Sequence, residues 1–386
     1  MNTALKHWRE AATVILAAGQ RRAPTADTLK VLENAAKSVC DYQVLLLKRS
    51  GRSGFMPNAY VFPGGLVDAS DFSSEWQDIF KHFTKAHNYG IAAVKQPPET
   101  RPPIFATDRA QLGSPIPGDV AFRICAVRET FEESGVLLAL PKHEARGVLD
   151  SQPVPTRLGT PWSKDVLAKW RALVNGDPAN FIKMCRELEC LPNIWALHEW
   201  ANWLTPVGKY GIRRYDTAFY LCCLDEAPHT LHDDKEIVHF KWSTPQEVLQ
   251  RYRSKEIWIA PPQFYDFGRL CQFPVLKDLH QFAWKRSVEG CEQWLPVHMV
   301  TSDGFANILP GDMLYPEKVD TSGNSEGVLI TEKSLDELQQ DTGKMHRVVG
   351  QDMYSVSIQM NITPKYKHLP PVDSDNMRKF LRNSKL

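Results

Sequence analysis

With 386 residues, 43% hydrophobic and 24% charged, the chain has the makeup of a globular protein that can bury a full core as one large domain or two. A formal net charge of +1 leaves no global basic field, which removes the usual source of tight, sequence-independent binding to nucleic acid. No apolar run approaches the roughly 18 residues of a membrane span, and the eight cysteines include no Cys-x-x-Cys pair, so neither a zinc site nor a disulfide framework is expected. Reduced thiols in an intracellular protein fit that usage.

Residues 11–18 form a short apolar stretch preceded by Arg9-Glu10, and this reads as the first strand. A second β-rich run covers 44–49, and 60–62 leads into a Pro63-Gly64-Gly65 turn. From 75 to 83, Trp76, Ile79, Phe80 and Phe83 recur at helical spacing, predicting a helix whose aromatic face is core; 96–103 is a proline-rich loop. A longer helix starts after Pro117-Gly118, with Asp119 placed to cap it, and stops at Gly135, which suits the left-handed conformation at a helix end. Residues 163–174 and 178–189 read as a helix pair, 200–204, 215–224 and 237–242 as strands, and 246–252 as a short closing helix. Beyond about residue 260 the pattern weakens into short strand-like pieces such as 353–360, without an internal repeat. The polar C-terminal end is expected to be mobile.

Wound at about 100° per residue, the segment 120–134 gathers Val120, Ile124, Val127 and Phe131 on one face and sets Glu129 and Glu133 roughly opposite. Glu132 follows Arg128 by four residues, so an ion pair along the helix can orient its oxygens. Carboxylates this close repel one another unless a cation lies among them. Mg²⁺, or Mn²⁺, suits them: such ions prefer carboxylate oxygens, keep several waters and bridge to substrate phosphates. A bound ion of this kind neutralises a diphosphate and acidifies an attacking water, so that the protein need only position the parts. A solvated acidic helix face would carry the same charges, and the charges alone do not separate the two readings.

The residues Gly64-Gly65 followed by Arg128-Glu129-x-x-Glu132-Glu133-x-Gly135 resemble the Nudix box, in which Gly, five residues, Glu and seven residues precede Arg-Glu-U-x-Glu-Glu-x-Gly-U, with U a bulky aliphatic residue. The resemblance implies an α/β fold, the Nudix α/β/α sandwich with a mixed sheet, over residues 5–260. Insertions fall at about 20–38, 66–118 and 142–192, followed by a C-terminal extension over 261–375 packed on the sandwich and a mobile tail over 376–386. The 62 residues of 66–127 stand between glycine and arginine, so a large insertion interrupts the box itself. Such an insertion is tolerable because loop-closure entropy grows by only about 0.6 kcal/mol per doubling of length. Thr130 replaces the aliphatic residue after Arg-Glu, and the box's first glutamate has no counterpart at its spacing. Asp68, Asp71 and Asp119 are the candidates to pair with Arg128 in its place. Carried over position by position, the resemblance makes Glu129 and Glu133 the principal metal ligands and Glu132 a further or water-mediated one, with Arg128 in the same catalytic set and Gly65 lending its carbonyl. The base that takes the water's proton often lies outside the box, and Asp233, Asp234 and Glu236, in the polar turn before 237–242, are its candidates.

Within the family, Trp8-Arg9-Glu10-Ala11-Ala12, Trp200-Ala201-Asn202-Trp203-Leu204-Thr205-Pro206 and Pro261-Pro262-Gln263-Phe264 resemble a peroxisomal branch. That branch cleaves coenzyme A and acyl-coenzyme A to adenosine 3′,5′-bisphosphate and (acyl-)4′-phosphopantetheine, and these are the implied substrates and products. The upstream signature of other coenzyme A-cleaving Nudix proteins is not clearly met between Leu45 and Gly65. The same chemistry on NADH or ADP-ribose therefore stays open, as does a non-catalytic Nudix binding module; RNA decapping is disfavoured by the neutral charge. Lys209, Arg213 and Arg214 around Tyr210 make a basic and aromatic loop able to meet a 3′-phosphate and stack an adenine, with Arg49 and Arg52 competing for that role. The tripeptide Ser384-Lys385-Leu386 is the one read by the peroxisomal import receptor, which makes that receptor an expected partner and the peroxisomal matrix the expected location. No nucleic-acid partner is expected.

Overall fold

The computed structural model of the chain describes residues 4–20, 40–145, 147, 155–158, 161–206, 214–231, 237–319, 328–340 and 342–372. Strand β1 (Arg9–Gly19) is buried at every position after Arg9, as its unbroken apolar run requires of a strand covered on both faces. It is followed by β2 (Tyr42–Arg49), β3 (Tyr60–Val61) and β4 (Gly64–Leu66). A separate two-stranded pair is made by β5 (Ala139–Pro141) and β6 (Cys190–Pro192). Then β7 (His198–Leu204), β8 (Tyr215–Leu224), β9 (Ile237–Ser243) and β10 (Gln293–Trp294) complete an eight-stranded sheet of order β10-β7-β8-β1-β2-β3, with β4 also on β1 and β9 on β2. The sheet is mixed: β1 runs parallel to β8 from Arg9–Tyr215 to Ala18–Leu224, while β2 and β4 meet β1 antiparallel.

Successive residues of β1 point to opposite faces, and each face has its own helical cover. Ala12, Val14 and Leu16 meet helices α1 (Gly118–Ser134), α2 (Lys164–Gly176) and α3 (Asn180–Glu187) in one core. Ile15 and Ala17 meet α4 (Pro245–Arg253), α5 (Pro261–Leu270) and α6 (Leu276–Ser287) in the other. This is an α/β/α sandwich. The weak pattern after residue 260 hid α5 and α6, which pack on the sheet and so belong with the sandwich in which Phe264, Phe267 and Leu279 are core. No helix among the described residues is long and apolar enough to cross a membrane.

The extension proper is a second sheet of β11 (Val297–Val300), β12 (Phe305–Ile308), β13 (Val328–Ile330), β14 (His346–Gly350) and β15 (Val356–Met360), ordered β13-β11-β12-β14-β15. One face closes a small core of Met299, Ile308, Val349 and Leu338. The other sends Val348 and Ile358, beside Leu309, into the core that Trp203 and Phe219 of the first sheet share. The extension is thereby fused to the sandwich through apolar contacts.

Two local expectations are corrected. The aromatic spacing over 75–83 gives a single helical turn, Trp76–Ile79, followed by turns. Its side chains are core all the same, because Trp76 packs on Phe181 at 6.0 Å and Phe80 on Trp195 at 6.0 Å; that spacing serves a tightly folded insertion as well as a helix. Asp119 does not cap α1. It lies inside the first turn and accepts from Arg101 Nη2 at 3.0 Å and Asn88 Nδ2 at 3.3 Å, tying the insertion to the helix.

One buried pair makes stability depend on pH. Asp216 on β8 accepts from Asn202 Nδ2 at 2.6 Å, while Asp216 Oδ2 and Asn202 Oδ1 are both buried without a partner. Burial pushes the Asp216 carboxyl up to about 7; the Asn202 hydrogen bond opposes the rise and nearby Glu10 adds to it. A proton on the Asp216 carboxyl removes its buried charge. Since the folded pKa lies above the unfolded one, this stabilisation is complete below pH about 4 and is lost as pH rises to about 7. Asp216→Asn should therefore flatten the pH dependence of unfolding between those limits and gain stability relative to wild type at pH 8. Urea titrations of both proteins across that range check it, and an unchanged slope would sink the idea.

Candidate active site

Helix α1 ends as its sequence requires: Gly135 takes φ 71° in the left-handed region and its amide donates to Phe131 O at 2.9 Å. Val120, Ile124, Val127 and Phe131 are fully buried, as their periodicity predicts. The opposite side is not solvated either. Arg128 is 1% and Glu133 5% exposed, with Glu129 and Glu132 half-buried, so a solvated acidic face is excluded.

Arg128 spends all its donors inside the site. Nε and Nη2 grip Asp71 Oδ1 and Oδ2 at 2.9 Å each, Nη1 donates to Glu129 Oε1 at 2.9 Å and Glu132 Oε1 at 2.7 Å, and Nη2 also reaches Leu66 O at 2.9 Å. Asp71, of the three open candidates, is thus the residue that pairs with Arg128. It stands on the one-turn helix Ala69–Phe72, in a capping box where Asp68 accepts from Ser70 N and Asp71 from Asp68 N at 2.8 Å. The Asp68-x-x-Asp71 spacing was the sequence signal that could have singled it out.

The two box glycines hold the other end. Gly64 N donates to Glu133 Oε2 at 2.8 Å. Gly64 has φ 152°, and a Cβ there would fall 2.4 Å from Ala12 O; at Gly65 it would fall 2.4 Å from Glu129 Oε2. The first clash is with backbone and the second with the end of a side chain. Gly64→Ala should therefore destabilise the fold, whereas Gly65→Ala should keep the melting temperature near wild type and displace the Glu129 carboxylate, lowering activity. Thermal melts beside turnover assays check the pair; equal losses of stability would refute the distinction.

Around one guanidinium stand the carboxyls of Asp71, Glu129 and Glu132, with Glu133 next along the helix on Gly64 N. Burial pushes Glu129 up to about 7; Arg128 opposes this, and Glu132 and Asp71 add to it. Glu132 is raised as well, first by burial. This excess of buried negative charge, offered as hard oxygen donors against glycines that leave no room for a Cβ, fits a divalent cation. Among the described residues no three acidic, His or Cys side chains already converge as a finished cage, because Glu129 and Glu132 are turned toward Arg128.

The cluster opens into a cavity of ≈780 Å³. Its lining includes Arg9, Arg49, Phe55 and Tyr215, the last two rings meeting edge-on at 4.9 Å. It also includes Phe219, level with Thr13 and Gly64 in the sheet, and Trp203, Leu309 and Val348. Of the predicted substrate contacts, Arg49 lines the cavity and Arg52 does not; Arg214 lies over the Trp8 ring at 5.4 Å and is not a lining residue. Lys209, Tyr210, Arg213, the base candidates Asp233, Asp234 and Glu236, and Ser384-Lys385-Leu386 lie outside the described residues. Phe55, Tyr215 and the C-terminal lining residues went unnoticed in the sequence because no local motif marks them, and Arg9 stood in a motif that assigned it no role.

Residues 8–270 match the family model described as the NUDT19 Nudix domain, and residues 298–361 match that of the NUDT19 C-terminal domain. A Gallus gallus protein named acyl-coenzyme A diphosphatase NUDT19 is 50% identical, covering 97% of this chain and 99% of its own. The Homo sapiens protein of that name is 41% identical, covering 95% of each. A solved Nudix hydrolase from Alicyclobacillus acidocaldarius is 22% identical, with a TM-score of 0.46 over 69% of this chain and 92% of that one. Both family models and the near-full-length relatives agree with the box assembled around Arg128, and the chain belongs to the NUDT19 family of Nudix hydrolases.

Proposed function

We propose that the protein hydrolyses the diphosphate bond of coenzyme A and acyl-coenzyme A, releasing adenosine 3′,5′-bisphosphate and (acyl-)4′-phosphopantetheine. The observation that carries this reading is that the buried glutamates share one cavity with Arg9 and Arg49, the Phe55 and Tyr215 rings, and the apolar Trp203, Leu309 and Val348; the names of the near-full-length relatives support the substrate. Glu129 and Glu133, with Glu132, would hold Mg²⁺ or Mn²⁺. When bound, the ion supplies charge neutralisation for the diphosphate and acidity for the attacking water. Arg128 keeps the Glu129 and Glu132 carboxylates oriented, and Gly64 N holds Glu133. Arg9 and Arg49 offer cations to phosphate, and the Phe55 and Tyr215 rings offer faces to an adenine. Phe62 and Phe219, edge-on at 6.5 Å, add apolar surface to the cavity lining.

The test is a panel of coenzyme A, an acyl-coenzyme A, NADH and ADP-ribose with purified protein and Mg²⁺ or Mn²⁺, compared by kcat/KM with products read by mass spectrometry. The expected result is the highest kcat/KM for the coenzyme A compounds. A preference for NADH or ADP-ribose would overturn the substrate, and no cleavage of any would favour a binding module. For the peroxisomal address the support is the Ser384-Lys385-Leu386 tripeptide; a fluorescent fusion that keeps it should enter peroxisomes, and one lacking it should not.

A further inference from the structure

The cavity that holds the glutamates is walled at its far end by the C-terminal extension, through Asn307, Leu309 and Val348. We infer that this extension is the part of the protein that reads the acyl group: Leu309 and Val348 receive the thioester end of the substrate and the first acyl carbons. The inference rests on the acyl-coenzyme A diphosphatase reading and adds to it a site and a role for the second sheet.

The path across the first sheet sets the scale. Thr13 on β1 stands opposite Gly64 on β4 and Phe219 on β8, while Ala11 stands opposite Thr217, which stands opposite Trp203 on β7. Directly opposed residues share a face, so the stretch of the cavity from Gly64 to Trp203 lies on the face turned away from α1. From β4 to β7 is three strand spacings of about 4.8 Å, or roughly 14 Å. The pantetheine arm has a backbone of about four residue lengths and reaches roughly 14 Å when extended. An arm whose phosphate end sits at the glutamates therefore delivers its thioester beside Trp203, where the extension closes the cavity.

The chemistry of the two ends agrees with that direction. Arg9, Arg49 and Arg128 line the cavity on the side of the glutamates, whereas its C-terminal wall has no Lys or Arg among the described lining residues. Leu309 and Val348 are 1% and 2% exposed and are held in the core shared by both sheets, so this wall is rigid and apolar. Asn307 Oδ1 is 3.0 Å from His298 Nδ1 across the β11–β12 pair, which leaves the carboxamide NH₂ as the donor for a carbonyl of the arm. A ribose or nicotinamide delivered to the same place would lose the hydrogen bonds its hydroxyls and amide make in water, which an apolar wall does not replace.

Two measurements test the inference. A palmitoyl-coenzyme A carrying a diazirine next to its thioester, bound to the Glu133→Gln chain and irradiated, should label peptides within 296–309 or 345–350. Labelling confined to other segments, such as 162–175 beside the second cavity of ≈660 Å³, would overturn it. In kinetics, Val348→Phe should lower kcat/KM for palmitoyl-coenzyme A at least about tenfold more than for coenzyme A, the scale on which one apolar group in a pocket discriminates. The melting temperature of each variant, near wild type, is the control for folding. Leu309→Ala should shift the preference toward bulkier acyl groups. Equal losses on both substrates, or no change on either, would overturn the inference. If wild type cleaves neither substrate, the diphosphatase reading falls by itself, and the labelled peptide still decides which segment forms the wall.

Discussion

Glu133→Gln is expected to lower kcat for coenzyme A at least about 100-fold while leaving the melting temperature near wild type. The amide is isosteric and keeps an oxygen to accept from Gly64 N, the contact now made at 2.8 Å by Glu133 Oε2, so the α1–β4 junction should survive. What disappears is a charged oxygen donor in a buried site. Loss of a residue that merely supports a metal ligand commonly costs 10–100-fold in affinity or activity, and loss of a proposed ligand should reach or exceed the top of that range. The same substitution should raise the Mg²⁺ or Mn²⁺ concentration needed for half-maximal rate. Steady-state assays over a metal titration read both effects; a variant with unchanged kcat and unchanged metal demand would remove Glu133 from the metal site.

The second large effect is on stability. Asp71 and Arg128 form a bidentate pair whose side chains are 1% and 2% exposed, and breaking such a buried pair by deleting one partner typically costs about 3–5 kcal/mol, because the remaining charge stays buried. Asp71→Ala should lose about that much in urea unfolding, a large part of the ~5–15 kcal/mol that holds a domain together. Activity should fall too, since Arg128, released from Asp71, no longer holds the Glu129 and Glu132 carboxylates in register. Asp71→Glu, which restores the charge and supplies the residue type of the ordinary box, should recover part of both. A cost below about 1 kcal/mol for Asp71→Ala would show that Glu129 and Glu132 alone satisfy Arg128.

The catalytic helix was legible because its information is local. Pro117 and Gly135 bound it, its apolar residues keep a 3.6-residue period, and Arg128, Glu129, Glu132 and Glu133 stand at spacings that one helix turns into a cluster. The strands β1 and β8 were legible for a similar reason: long apolar runs without alternation read as strands buried on both faces. By contrast, α5 and α6 escaped notice, since their apolar residues are interspersed with polar ones such as Gln263, Asp266 and Arg269 that the fold buries and that a periodicity reading counts as solvated.

By itself, the sequence determined that this is an α/β protein with a carboxylate cluster on one helix, two glycines that must approach it, and an interrupted box between them. Which acid pairs with Arg128 was decided by tertiary structure: Asp68, Asp71 and Asp119 are equally acidic on paper, and only the folding of the insertion back along α1 puts Asp71 at 2.9 Å while drawing Asp119 away to Arg101. The same holds for the cavity. Arg9, Phe55, Trp203, Asn307 and Val348 are far apart in the chain and meet only because β1, β8 and β7 lie side by side and the second sheet packs on their outer face. Spacing along a helix is fixed by covalent geometry and can be read from the chain, whereas contacts between distant segments exist only when burial of their apolar surfaces brings them together.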